Sequence, residues 1–331
     1  MLGRFVAALN RLLCLVDARL VRDSAFPKEP PSPVPLRKPN PEVDPEARFV
    51  RLRELLAAPL NFLLLGSSND VLKLPRDLAD KLNVFSVDAV APGLGASFTA
   101  ISEIVAPDAR EVIFVERAFS GCSSIAPPRQ ELVEAYGLAA LYREKNRVQV
   151  KGTSVRELSA RHKVDRWHFL KTDLEGLDFE IVKSLGDAIR RTLVLQMELR
   201  FEPFYAGEPH FHEVAAYLED YGFEVLDLQI ERWRRVTPNM LLHTKGRATY
   251  CDALFVNRDP GHQAADVLAQ ALILGILGYL NQAEYLLPRV RDAVPEAAAE
   301  MVEFLFGRMR GREPFLPHPS VPHVVTAAGD C

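Results

Sequence analysis

From residue 46 the chain alternates short apolar runs with helical stretches, and no other feature constrains its fold as tightly. Residues 61–65, 83–88, 111–116, 147–151, 167–173, 192–199, 223–228 and 250–257 read as strands. Helical patterns at 47–57, 75–82, 129–145, 154–162, 177–185 and 209–221 separate most of them. Strands buried on both faces and joined by helices build a doubly wound, mostly parallel α/β sheet. Residues 229–249, rich in Arg and polar groups, carry no helical pattern and read as a long loop or hairpin. A hairpin there turns the last strand antiparallel to its neighbour.

The segments outside this α/β unit divide the chain further. Residues 1–26 contain an amphipathic helix, with Leu2, Phe5, Val6, Leu9, Leu12, Leu13, Val16 and Leu20 on one stripe and Arg4, Arg11 and Arg22 opposite. Such a helix packs on the protein body or on a second subunit, or else rests on anionic lipid. Asp17 and Asp23 dilute its basic face, which favours the packing role. Eight prolines in residues 27–45 make an extended linker that can neither continue a helix nor donate to a sheet. The α/β unit then spans 46–258, a helical extension 259–311 with Ala/Leu-rich faces follows, and 312–331 reads as a flexible tail. Leu-rich faces on both terminal segments are compatible with a homodimer.

Composition excludes several function classes. A formal net charge of −4 over 331 residues gives no electrostatic ground for a nucleic-acid partner. Cys14, Cys122, Cys251 and Cys331 are scattered without CxxC spacing, which points to a reducing compartment with no disulfide framework or thiolate metal site. The longest apolar run, 271–280, is interrupted by glycines and falls short of the roughly 18–20 residues of a membrane span. The expectation is a cytoplasmic protein, membrane-peripheral only if the N-terminal helix meets lipid.

In an open α/β sheet, ligands bind outside the carboxyl ends of the strands, so residues at those ends carry the chemistry. Gly66 follows the first strand, where a glycine lets backbone approach a ligand, and Ser67 and Ser68 beside it can donate hydrogen bonds. An ordinary turn explains the same residues. Neither GxGxxG nor GxxxxGK[ST] occurs, which argues against NAD, FAD and P-loop nucleotides. Asp88 ends the second strand, where an acid can accept from both hydroxyls of a ribose or simply cap a turn. Asp173 and Glu175 end a strongly apolar strand just before Gly176. They suit substrate positioning or proton acceptance, and equally a capped helix start. Glu198 ends the next strand, either facing the same cleft as Asp173 or pairing with Arg200 or Lys171. His210 and His212 lie on different faces of a helix and have no matching third ligand, so no metal is expected.

The segment Lys171-Thr172-Asp173-Leu174-Glu175-Gly176-Leu177-Asp178, with the apolar helix after it, resembles the FkbM-type methyltransferase family. That family carries K-I-D-x-E-G-x-E at this place. The likeness extends over about residues 60–257 and includes Ala118 to Gly121, similar to the family's turn after its third strand. The resemblance implies a class I methyltransferase fold: a Rossmann-like, seven-stranded sheet with an antiparallel terminal strand, here with extra helices at both ends. It also implies that S-adenosylmethionine is bound and that a hydroxyl on a sugar or other small metabolite is methylated. Gly66, Ser67, Ser68, Asp88, Ala118 and Ser120 would then contact the cofactor, with Asp173, or next Glu198, as the base. The sequence departs from the family at Leu64, which replaces an acid, at Asp70, which replaces a glycine, and at Asp178, which replaces a glutamate. The first two departures admit an alternative, a binding or scaffold protein on the same fold without catalysis.

Overall fold

The structure is a computed structural model that describes residues 49–66, 74–89, 98–237, 245–261 and 263–309. The helix expected in 1–26, the linker at 27–45, the tail at 312–331, and Ser67, Ser68 and Asp70 lie outside the described residues.

Strands β1 (Leu60–Leu65), β2 (Leu82–Asp88) and β3 (Phe98–Ser102) open the fold, followed by β4 (Glu111–Arg117) and β5 (Glu144–Lys151). Then come β6 (Phe169–Thr172), β7 (Val194–Arg200), β8 (Phe223–Trp233) and β9 (Arg247–Asn257). The main sheet has seven strands in the order β3-β2-β1-β6-β7-β9-β8. β3, β2, β1, β6 and β7 run parallel, while β9 runs antiparallel to both β7 and β8. Strands β1, β2, β6, β7 and β9 alternate their side chains between two apolar layers. Phe62 and Leu64 of β1 enter one layer, and Leu63 and Leu65 the other.

The third strand is not the one the sequence suggests. Residues 111–116 form β4, which leaves the main sheet and pairs antiparallel with β5 in a two-stranded sheet of its own. Its sparse burial, with only Val112 and Val115 buried and Glu111 and Ile113 exposed, is that of a partly covered ribbon rather than a central strand. β3 takes the place instead. Its Phe-Thr-Ala-Ile-Ser sequence lacks the continuous apolar run of its neighbours because it is an edge strand.

Helices cover the two faces unequally. α1 (Val50–Leu55) precedes the sheet, and α2 (Gln130–Ala135) and α3 (Ala139–Tyr142) fall between β4 and β5. Gly137, at φ 67°, breaks the single helix expected over 129–145. α4 (Val155–His162), α5 (Asp178–Ser184) and α6 (Phe211–Asp220) pack Leu158, Ile181, Val182, Val214 and Leu218 on one face. On the other face, 75–82 does not form the expected α-helix. A kinked 3-10 turn at Arg76–Lys81 stands there, with Leu78 out of helical geometry.

That face is completed from the far end of the chain by α7 (Ala264–Ile276), α8 (Leu280–Leu286) and α9 (Pro295–Met309). Every residue of α7 from Val267 to Ile276 is buried. A helix apolar all round needs cover on all sides, and α7 finds it between the sheet and its two successors. Gly275 makes the fit possible, since a Cβ there would lie 2.4 Å from Leu305. Among the described residues no helix is long and apolar enough to cross a membrane.

Candidate active site

Strand register brings the residues of interest into one row. Leu65 pairs with Val87 and Thr172, and Thr172 pairs with Met197. One position further, Asp88, Gly66, Asp173 and Glu198 stand side by side at the carboxyl edge. Asp252 of β9 continues the row opposite Glu198. Asp88 and Asp173 therefore flank Gly66 from the two neighbouring strands.

Gly66 is required by its own chain. Its φ is 73°, its N–H donates to the Val87 carbonyl at 2.9 Å, and a Cβ would lie 1.9 Å from the Asp173 carbonyl oxygen. Without a side chain, the ends of β1 and β6 can close on each other. Ala118 donates its N–H to the Arg143 carbonyl at 2.8 Å, and Ser120 opens a 3-10 turn after β4. Both belong to the β4–β5 insertion and not to the end of a main-sheet strand. The insertion nevertheless reaches the site, because the Ser124 hydroxyl donates to the Glu175 carbonyl at 2.9 Å.

After β6 the chain reverses through two left-handed residues, Glu175 at φ 50° and Gly176 at φ 93°. The Tyr205 side chain packs against Gly176, where an added Cβ would lie 2.5 Å from its Cγ. Asp178 then opens α5, and its carboxylate accepts from the Leu174 N–H at 3.2 Å. Burial, with Asp173 adding like charge, pushes the Asp178 carboxyl up to about 7. Of the acids in this segment, Asp178 thus ties the turn before α5 to the helix start, and Glu175 is held by neighbours. The Tyr205 hydroxyl donates to Glu175 at 2.5 Å and Arg200 donates to it at 3.1 Å.

Arg200 organises the rest. Its side chain is only 4% exposed, and it pairs with Glu198, with Glu175 and, at 3.7 Å, with Glu208. The Tyr250 ring covers the guanidinium, with 4.7 Å from carbon to centroid. Burial works against the arginine's charge, but Glu198 and Glu175 outweigh it and raise its pKa. Glu198 pairs with Arg200, and its carboxylate lies in a group with those of Asp173 and Glu175, one oxygen of each within 4.8 Å of the others. Burial raises Glu198 and Glu175 against the pull of Arg200. The Asp173 carboxylate receives no hydrogen bond or ion pair from a described residue. A small, open depression lies beside this group, lined by Gly176, Asp178, Phe179, Glu198, Arg200 and Glu208 among others.

Tyr205, Glu208 and Asp252 escape a reading of strand ends. Tyr205 and Glu208 sit in a loop after β7, and only the folded chain brings them to Arg200. Asp252 had a signal, a lone charge between the apolar residues of the last strand. Burial, then Asp173, raises its carboxyl to about 6.

This strand order, with β9 alone reversed against six parallel partners, defines a class I methyltransferase sheet of the Rossmann-like kind. Residues 86–225 match the family model of the methyltransferase FkbM domain. The matched stretch begins at Ser86 and leaves out β1 and Gly66. A crystal structure of a Streptococcus pneumoniae protein, provisionally assigned as a tRNA (m1A22) methyltransferase, is 14% identical. It covers 77% of this chain and 98% of its own, at a TM-score of 0.25. Curated proteins give no match.

The described residues fit an S-adenosylmethionine cofactor by the chemistry of their donor set. Asp88, half-buried at the end of β2, can accept from vicinal ribose hydroxyls, and an acidic edge suits a cationic sulfonium.

Proposed function

We propose that this protein transfers a methyl group from S-adenosylmethionine to a hydroxyl of a sugar or other small metabolite. The observation that carries the reading is the row Asp88, Gly66, Asp173 at the carboxyl edge. It offers a hydroxyl acceptor on one side of β1 and, on the other, a carboxylate that no described residue engages. When bound, the cofactor supplies an electrophilic methyl on sulfur, and its remainder leaves as a neutral thioether. Asp88 holds the ribose, and Gly66 lets backbone come close. Asp173 accepts the proton of the attacking hydroxyl, and Glu198 is the next base in reach. Ala118 and Ser120 complete the cofactor contacts from the insertion, with Ser67 and Ser68 from the loop after Gly66.

Incubation of the protein and a metabolite extract with methyl-deuterated S-adenosylmethionine tests the acceptor class. Mass spectrometry is expected to find the label on oxygen of a small hydroxylated product. Label on nitrogen, or none at all, contradicts the reading.

A second reading, a non-catalytic binding or scaffold protein, is favoured by Leu64. This residue stands where the family has an acid, and it is buried in the apolar layer beneath α7 rather than turned to a ligand. Failure of the protein to bind S-adenosylmethionine would favour that reading.

A further inference from the structure

Three carboxylates whose oxygens lie within 4.8 Å cannot all stay ionised unless a positive charge sits among them. Arg200 supplies that charge, touching Glu198 and Glu175 but making no ion pair with Asp173. We propose that Arg200 is a positioning residue for proton removal: it holds and neutralises Glu198 and Glu175, which leaves Asp173 as the ionised carboxylate that takes the acceptor's proton. The inference rests on the methyl-transfer reading for its purpose, but the charge arrangement stands on geometry alone.

The guanidinium is itself held in place from several elements. Glu208 accepts from the N–H groups of Phe204 at 2.6 Å and Tyr205 at 3.0 Å, and it lies 3.7 Å from Arg200. Tyr250 of β9 covers the arginine, while Tyr205 donates to Glu175 and is backed by the Tyr142 hydroxyl at 3.2 Å. Asp252, across from Glu198 on β9, adds negative charge to the same edge. The Cys122 thiol, pushed up to about 12 by burial and then by Glu175, stays neutral and adds none. With Arg200 removed, the acids of this group would share a proton, and part of that proton falls on Asp173.

Carboxyl 13C NMR titration of protein labelled at Asp Cγ and Glu Cδ tests this, with Asp173→Asn identifying the Asp173 signal. Arg200→Met is expected to raise the Asp173 midpoint by about one pH unit or more, and Arg200→Lys to recover most of that shift. A midpoint in Arg200→Met within about 0.3 unit of wild type overturns the proposal. If Arg200→Met does not fold, Glu198→Gln decides. A downward shift of the Asp173 midpoint upholds the proposal, and an unmoved midpoint overturns it. Calorimetry with S-adenosylmethionine on the same wild-type sample keeps the two ideas apart. Lack of heat there removes the methyl-transfer purpose, whereas an unmoved titration in a protein that binds the cofactor removes the role of Arg200.

Discussion

Asp178 and Gly66 show at the scale of single residues how the site is built into the fold. The folded-state pKa of Asp178, about 7, lies above the ordinary 3.8 because its carboxyl is buried. Its contribution to stability is fully present below pH 3.8 and is lost as pH rises through 7. Asp178→Asn keeps an acceptor for the Leu174 N–H and removes the ionisation. Relative to wild type, it is expected to gain on the order of 1–3 kcal/mol between pH 4 and pH 8. Urea unfolding at the two pH values checks this, and equal differences at both would contradict it. Gly66→Ala places a methyl against the Asp173 carbonyl at a left-handed φ. Thermal melting should show a loss of about 2–4 kcal/mol, larger than a Gly→Ala exchange in an open turn. The acids at strand ends were legible because a charge that closes an apolar run stands out. The partners of those acids were not legible, because Tyr205 and Glu208 come from a loop about 30 residues past Asp173.

At the scale of elements, the C-terminal helices supply cover that the described residues of the first crossover do not give. Between β1 and β2 the described crossover residues form only a short 3-10 turn. The face above Phe62, Leu64 and Phe169 is closed instead by α7 to α9. Gln270 of α7 donates to the carbonyls of Leu193 and Asn257, and Arg166 pairs with Asp266 at 2.6 Å. Burying a Leu or Phe contributes roughly 1.5–3 kcal/mol, so losing this layer exceeds the stability of an ordinary domain. A chain ending at residue 258 should lose its cooperative melting transition and its near-UV circular dichroism. Retention of both would show that the extension is dispensable. The buried strands β1, β2, β6 and β7 announced themselves as apolar runs between helical stretches. β3 did not, because an edge strand has no such run, and β4 misled because its apolar residues serve a separate ribbon.

At the scale of the whole molecule, a class I sheet, matched over residues 86–225 by the FkbM methyltransferase model, has its acidic row gathered at the carboxyl edge. One face is covered by α4, α5 and α6 and the other by α7, α8 and α9. The resemblance read from Lys171 to Asp178 pointed to this architecture, while Leu64 and Asp70 left the cofactor loop open. Isothermal titration calorimetry with S-adenosylmethionine goes most directly to the central claim. Wild type is expected to bind with measurable heat at one site per chain, and Asp88→Ala to bind at least about tenfold more weakly, as loss of a charged hydrogen-bond acceptor implies. A folded wild-type protein that gives no heat, or an Asp88→Ala variant that binds as tightly as wild type, would contradict it.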